Sequence, residues 1–213
     1  MRFIPNGYDL SAFQQAPAPN FELKPRLNLD RFMPLIGAVG RFDPQKGHAN
    51  LLDALTILRD RGAVFRCLLV GTGLDSSNVQ LVEWIAQRGL ANGLYLLGRR
   101  NDVPSIMNAL DLHRLPSSTE AFPNVVVEAM ACGTPCVVTD VGDAADIVGD
   151  TGWVVPPRDA HALAEAILIS LEELNSDNWQ SRCNRARQRI EDNFSIQRMV
   201  KRYNRVWAEA LNH

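Results

Sequence analysis

The chain has no apolar run approaching the ~18 residues a membrane-crossing helix needs, and Met1 is not followed by the apolar core of a secretory leader. It has no strong excess of either charge: 22 Lys and Arg against 24 Asp and Glu leave a net charge of −2, which gives no footprint for nucleic acid. Cysteine is scarce. Cys67, Cys132, Cys136 and Cys183 form no Cys-x-x-Cys pair, so they read as small buried thiols in a reducing compartment rather than metal ligands. No Asp-x-Asp triplet, internal repeat or low-complexity tract occurs. A nicotinamide dehydrogenase would carry Gly-x-Gly-x-x-Gly directly after the first strand. Gly37-Ala38-Val39-Gly40 stands there instead, and in the run beginning at Gly71 the third glycine is replaced by Ser76. What remains is 213 residues, 46% hydrophobic and 22% charged, long enough for one domain with a substantial core.

Short apolar segments alternate with helical patterns. Strands are predicted at Leu35–Val39, Phe65–Val70, Leu94–Leu97, Leu112–Leu115, Cys136–Thr139 and Trp153–Val155. Helices are predicted at Ala49–Arg59, Val79–Gln87, Val103–Leu110 and Asn124–Ala131, with Gly62, Gly89 and Gly133 as stops. Strands without polar alternation belong in a parallel sheet covered on both faces. The fold class is therefore α/β, a doubly wound, Rossmann-like parallel sheet. Ligands in such sheets bind at the carboxyl ends of the strands near the topological switch point, which singles out the loops after Val39 and Leu115. Pro17, Pro19 and Pro25 predict an irregular approach over residues 1–30, then a domain over 31–194 and a C-terminal amphipathic helix over 195–213.

The loop after Leu115 runs Pro116-Ser117-Ser118-Thr119 into Glu120-Ala121-Phe122-Pro123-Asn124-Val125-Val126-Val127-Glu128. Two carboxylates eight residues apart are not a one-face helical pair. Glu120 belongs on the loop and Glu128 one or two turns into a helix whose first turn suits Pro123. The N–H groups of Asn124 and Val125, with the positive end of the helix dipole, point into the space between the acids. That suits a ligand with both hydroxyls and phosphates, such as a nucleotide sugar. In the loop after Val39, Arg41 and Lys46 precede a helix start near Gly47, and flanking glycines allow close backbone approach. Two cations there make a diphosphate site. His48 follows, either as a phosphate contact or as a surface capping residue.

These residues resemble the E-x7-E element of the GT-B glycosyltransferases, specifically the retaining family 4 (group 1) enzymes. Ile4-Pro5-Asn6-Gly7-Tyr8-Asp9, Gly40-Arg41-Phe42-Asp43-Pro44-Gln45-Lys46-Gly47, Val70-Gly71-Thr72-Gly73, Leu97-Gly98 and Glu128-Ala129-Met130-Ala131-Cys132-Gly133-Thr134-Pro135 follow in family order, covering nearly the whole chain. The resemblance implies the C-terminal, donor-binding half of such an enzyme, with the N-terminal acceptor domain absent. It implies that Arg41 and Lys46 hold the donor diphosphate, Glu120 contacts the transferred sugar and Glu128 the ribose. Gly40, the backbone at Phe122, Asn124 and Val125, and Val103 near the base would complete the pocket. Without Asp-x-Asp, a metal-independent mechanism with no cofactor is expected. The implied partners are a UDP- or GDP-sugar donor and a sugar or lipid-linked acceptor, in the cytoplasmic assembly of cell-surface polysaccharide. Two rivals stand beside this reading: a retaining glycosidase, whose carboxylates would lie ~5 Å apart, and a nucleotide-sugar-binding module without catalysis.

Some positions depart from the family pattern. Ala121 stands where glycine is usual, so a strained positive φ or a narrowed pocket is expected. Arg114 sits in a strand position that should be apolar and is expected to reach a carboxylate or solvent. His113 is read as a satisfied core or edge histidine. From Arg182 onward, Arg182, Arg185, Arg187, Arg189, Arg198, Lys201, Arg202 and Arg205 face three acids, while Ile196, Met199, Val200, Tyr203, Val206, Trp207 and Ala210 keep helical spacing. Such a helix packs on its domain with its charges solvated, lies on the inner face of an anionic membrane, or pairs with a second copy as a weak homodimer. The resemblance adds that in GT-B proteins the last helix crosses back onto the N-terminal domain.

Overall fold

A computed structural model describes residues 4–15, 23–26, 30 and 32–211. Pro17 and Pro19 lie outside the described residues, and Pro25 falls in a one-turn helix, α1 (Leu23–Arg26). Six strands form one sheet: β1 (Leu35–Val39), β2 (Arg66–Val70), β3 (Leu94–Gly98), β4 (Leu112–Leu115), β5 (Cys136–Thr139) and β6 (Trp153–Val155). All pairs are parallel, in the order β3-β2-β1-β4-β5-β6. The predicted strand positions hold to within a residue at either end.

Helices cover both faces, as a parallel sheet requires. On one face α2 (His48–Asp60), α3 (Val79–Gln87) and α7 (Ala160–Glu173) meet strand residues such as Ile36, Cys67, Leu69 and Val137. On the other, α4 (Val103–Ala109), α5 (Asn124–Ala131), α6 (Ala144–Val148) and α8 (Trp179–Asn193) meet Leu35, Leu68, Leu115 and Val138. Of the helices in 144–193 the sequence indicates only a late one around Cys183; α6 ends on Gly149 and α7 starts on Asp159. Local chemistry fixes several ends. Asn78 accepts from the Leu81 N–H and Asp159 from the Ala162 N–H, satisfying amides that a helix start leaves unpaired. Leu51, Leu52, Leu55 and Leu58 of α2 are wholly buried, each contributing about 1.5–3 kcal/mol of transfer free energy.

The expectation for Arg114 is overturned here, and so is that of a positive φ at Ala121. Arg114 reaches neither carboxylate nor solvent. It is 1% exposed, on the sheet face under α2 and α7, and its Nη2 meets only Cys67 Sγ, at 3.4 Å. Its Nε and Nη1 have no partner. The reason is positional: β4 is interior to the sheet, between β1 and β5, so a side chain on its helix-covered face has no short route out. Ala121 carries no positive φ, since among the described non-glycine residues only Arg158 does, and its side chain is exposed.

His113 is completely buried, with Nδ1 3.9 Å from Cys136 Sγ and Nε2 unpartnered, so it is a core histidine but not a satisfied one. All four cysteines are free and buried. The last helix, α9 (Ile196–Leu211), spans the residues its periodicity indicates. It packs on the body only along one edge. Gly7 N–H meets Met199 Sδ at 3.1 Å and Arg202 donates to the Asn193 carbonyl, whereas Ile196, Val200, Tyr203, Trp207 and Leu211 stay exposed, Trp207 by 61%. No helix among the described residues is long and apolar enough to cross a membrane.

Candidate functional site at the sheet switch point

The strand order reverses between β1 and β4, and the loops leaving their carboxyl ends meet there. The β1 loop runs from Gly40 to Gly47. Asp43 accepts from the Gln45 N–H and starts a single turn of 3-10 helix, Pro44–Lys46. Gly47 then adopts φ +66° and turns the chain into α2. A side chain at Gly47 would place its Cβ 1.9 Å from the Pro116 carbonyl oxygen, so only glycine allows the two loops to touch. Gly71 plays the same part behind Gly40: a Cβ there would sit 1.8 Å from the Gly40 oxygen.

The β4 loop is stitched to its neighbours by hydrogen bonds. Ser118 N–H donates to the Gln45 carbonyl at 2.7 Å, and Thr139 Oγ1 at the end of β5 donates to Ser117 O at 2.6 Å. These contacts bring Lys46 and Glu120 together: Nζ to Oε1 is 2.6 Å, with side chains 24% and 12% exposed. Ser117 Oγ donates to the same Glu120 oxygen at 2.7 Å. Lys46 Nζ has three N–H donors and spends one on Glu120, leaving two for an anion.

α5 begins at Asn124, where the sequence predicts it, with Pro123 at the N-cap just ahead of the first turn, and no side chain caps it. Glu128 therefore stands in the second turn. Burial raises the proton affinity of its carboxyl, and the Tyr8 hydroxyl opposes this by donating to Oε1 at 2.5 Å. Phe122 is half-buried, its ring 6.2 Å from that of Phe194. Val103 opens α4 beside Asp102, which Arg100 grips with two bonds of 2.8 and 2.7 Å. Gly40 is tied to β2 through its N–H and the Val70 carbonyl.

Arg41 is placed differently from Lys46. Its side chain is 64% exposed and pairs with Asp43 at 3.1 Å, so it lies at the mouth of the crevice and does not meet Glu120 or Lys46. His48 is not a surface cap. It is 5% exposed, stacks on Phe42 at 5.5 Å, and its Nε2 lies 3.0 Å from the Arg41 carbonyl, so it props the loop from behind. Burial lowers its pKa, which keeps the ring neutral near pH 7. Sequence reading missed Ser117 and Tyr8. Ser117 was visible only as part of a strand-breaking cluster, and Tyr8 lies 120 positions from its partner.

The chain is similar to known proteins over the same region. Residues 33–173 match the family model for glycosyl transferases group 1. The lipopolysaccharide core biosynthesis mannosyltransferase LpsB of Rhizobium meliloti is 32% identical over 178 residues, covering 80% of this chain and 50% of that protein. The UDP-Gal:alpha-D-GlcNAc-diphosphoundecaprenol alpha-1,3-galactosyltransferase of Escherichia coli is 30% identical over 211 residues, covering 95% and 52%. Anabaena HepE, in its crystal structure with UDP-glucose, superposes with a TM-score of 0.80 at 27% identity, over 97% of this chain and 57% of that one. The chain thus spans about half the length of the relatives it matches. It belongs to the group 1 glycosyltransferases, with the Rossmann-like α/β architecture of the GT-B enzymes.

Proposed function

We propose that this chain is the donor half of a retaining, metal-independent hexosyltransferase that takes a UDP- or GDP-sugar and serves cell-surface polysaccharide assembly. The observation that carries this reading is the Lys46–Glu120 pair in the crevice above β1 and β4. Lys46, aided by Arg41 at the mouth, holds the diphosphate. Charge builds on that diphosphate as the glycosidic bond breaks, and a cation already in place stabilises it without reorganisation. Glu120, held by Lys46 and Ser117, accepts hydrogen bonds from the sugar hydroxyls. Glu128 accepts from the ribose, the backbone of Phe122, Asn124 and Val125 lines the pocket, Gly40 permits close approach, and Val103 lies near the base. The UDP-glucose bound by HepE supports a nucleotide-sugar donor. The relatives' names support a lipopolysaccharide or lipid-diphosphate acceptor, bound by the half of their length that this chain does not span.

That same half-length coverage favours a second reading, a nucleotide-sugar-binding module that transfers nothing by itself. Sugar transfer is to be assayed with this chain alone and with the remaining half of the enzyme supplied as a separate protein. Transfer only in the mixture supports the donor-half reading. No transfer in either, with nucleotide binding intact, favours the module.

A further inference from the structure

The Glu128 carboxylate is held from outside its own helix. The Tyr8 hydroxyl donates to Oε1 at 2.5 Å, and Tyr8 is itself fixed on both sides of its backbone. Its N–H donates to the Phe194 carbonyl at 2.8 Å, and its carbonyl accepts from the Ile196 N–H at 2.9 Å. Gly7 sits so close to α9 that a Cβ there would fall 2.7 Å from Met199 Cβ. The Tyr8 ring also packs on Phe13, 5.9 Å away. The phenol thus reaches Glu128 from a clamped point at the junction of α8 and α9.

A carboxylate has two oxygens with about four acceptor positions, and Tyr8 occupies one of them. The second oxygen and one lone pair of the first are left for a vicinal diol. Without the phenol, a glutamate side chain on a helix surface samples several rotamers, and ordering it at binding costs entropy. The half-buried charge would also lose a donor.

We propose that Tyr8 is a positioning residue for ribose recognition, aiming the free acceptor positions of Glu128 at the 2′- and 3′-hydroxyls of the donor nucleotide. The proposal rests on the assignment of Glu128 to the ribose made above. Tyr8 touches no reacting atom and acts only through Glu128.

The experiment uses the full chain and whichever of UDP, GDP and ADP binds tightest, with the 2′-deoxy and 3′-deoxy forms of that nucleotide as probes. Tyr8→Phe keeps the ring on Phe13 and removes only the hydroxyl; its melting temperature checks that the fold survives. Wild type is expected to prefer the ribonucleotide, and Tyr8→Phe to lose about three- to ten-fold in ribonucleotide affinity while binding the deoxy forms as before. Glu128→Gln should lose the same preference, and the double variant should add little, since both changes act on one contact. If Glu128→Gln abolishes the preference and Tyr8→Phe leaves it whole, the positioning role is wrong while the Glu128 assignment stands. Equal losses for ribo and deoxy forms in Tyr8→Phe would reduce Tyr8 to packing and overturn the proposal. If Glu128→Gln keeps the preference, the ribose assignment itself fails and the proposal with it.

Discussion

Lys46 Nζ and Glu120 Oε1 lie 2.6 Å apart although 74 positions of chain separate the two residues. The pair joins the group assigned to the diphosphate to the group assigned to the sugar, so the two roles are separable by ligand. Glu120→Gln is expected to leave nucleoside diphosphate binding unchanged or tighter, because Lys46 gains a free donor. The extra affinity of the nucleotide sugar over the bare diphosphate should fall by ~1.5–3 kcal/mol, the range of a charge-assisted hydrogen bond. Parallel titrations with the two ligands measure this. A uniform loss for both would contradict the division of labour.

Arg114 is a buried charge without an anion, and two of its nitrogens have no partner. Removing a group whose desolvation is uncompensated stabilises when the replacement fills the space. Arg114→Leu is expected to raise the unfolding free energy by ~1–3 kcal/mol in denaturant titration. A loss of that size would mean the guanidinium is well satisfied.

Acid should destabilise the protein before its carboxylates titrate. Burial, with the Arg114 charge adding to it, pushes the pKa of His113 down to about 3, and burial lowers that of His48. Unfolded histidine titrates near 6.5. With folded values below the unfolded one, stability is fully present above about pH 6.5. It is lost as the pH falls, because only the unfolded chain takes up the protons. Between pH 7 and 5, His113 alone should remove roughly 2 kcal/mol. His113→Leu should flatten that slope by about one proton. An unchanged slope would exclude His113 as its source.

The exposed face of α9 is expected to act as a contact surface. Ile196, Val200, Tyr203, Trp207 and Leu211 form a continuous apolar stripe, while Arg198, Lys201 and Arg205 lie on the opposite side of the helix. An apolar stripe of this size is more than a soluble monomer normally leaves exposed, and with cations on the polar face an anionic lipid surface is the rival that the test separates from a second copy. The isolated chain should therefore self-associate weakly in sedimentation, and Trp207→Glu should make it monomeric without changing nucleotide affinity. A monomer at high micromolar concentration, or flotation with anionic vesicles, would contradict this.

Much of this architecture was legible because it is local. Apolar runs such as Leu35–Val39 and Cys136–Thr139 are buried on both faces, so their composition alone marks a parallel sheet. The spacing from Glu120 to Glu128 straddles a strand-to-helix turn, and Lys46 precedes a glycine that must be left-handed, so the crevice was readable too. Arg114 was misread because a charge in a strand carries no local sign of its depth; neighbours on β1 and β5 decide that. The surface-cap alternative for His48 fails for a similar reason, since the Phe42 stack and the Arg41 carbonyl hide the ring only once the loop closes. Tyr8 meets Glu128 through a pairing of the chain's two ends, which no window of sequence contains.

The most direct test is calorimetric titration of the chain with UDP and GDP in EDTA, for wild type and Lys46→Ala. Wild type is expected to bind one of them with the same affinity in EDTA as in magnesium, and Lys46→Ala to bind it ~1.5–3 kcal/mol more weakly. Binding that EDTA abolishes and magnesium restores, or equal affinity in the two proteins, would contradict it.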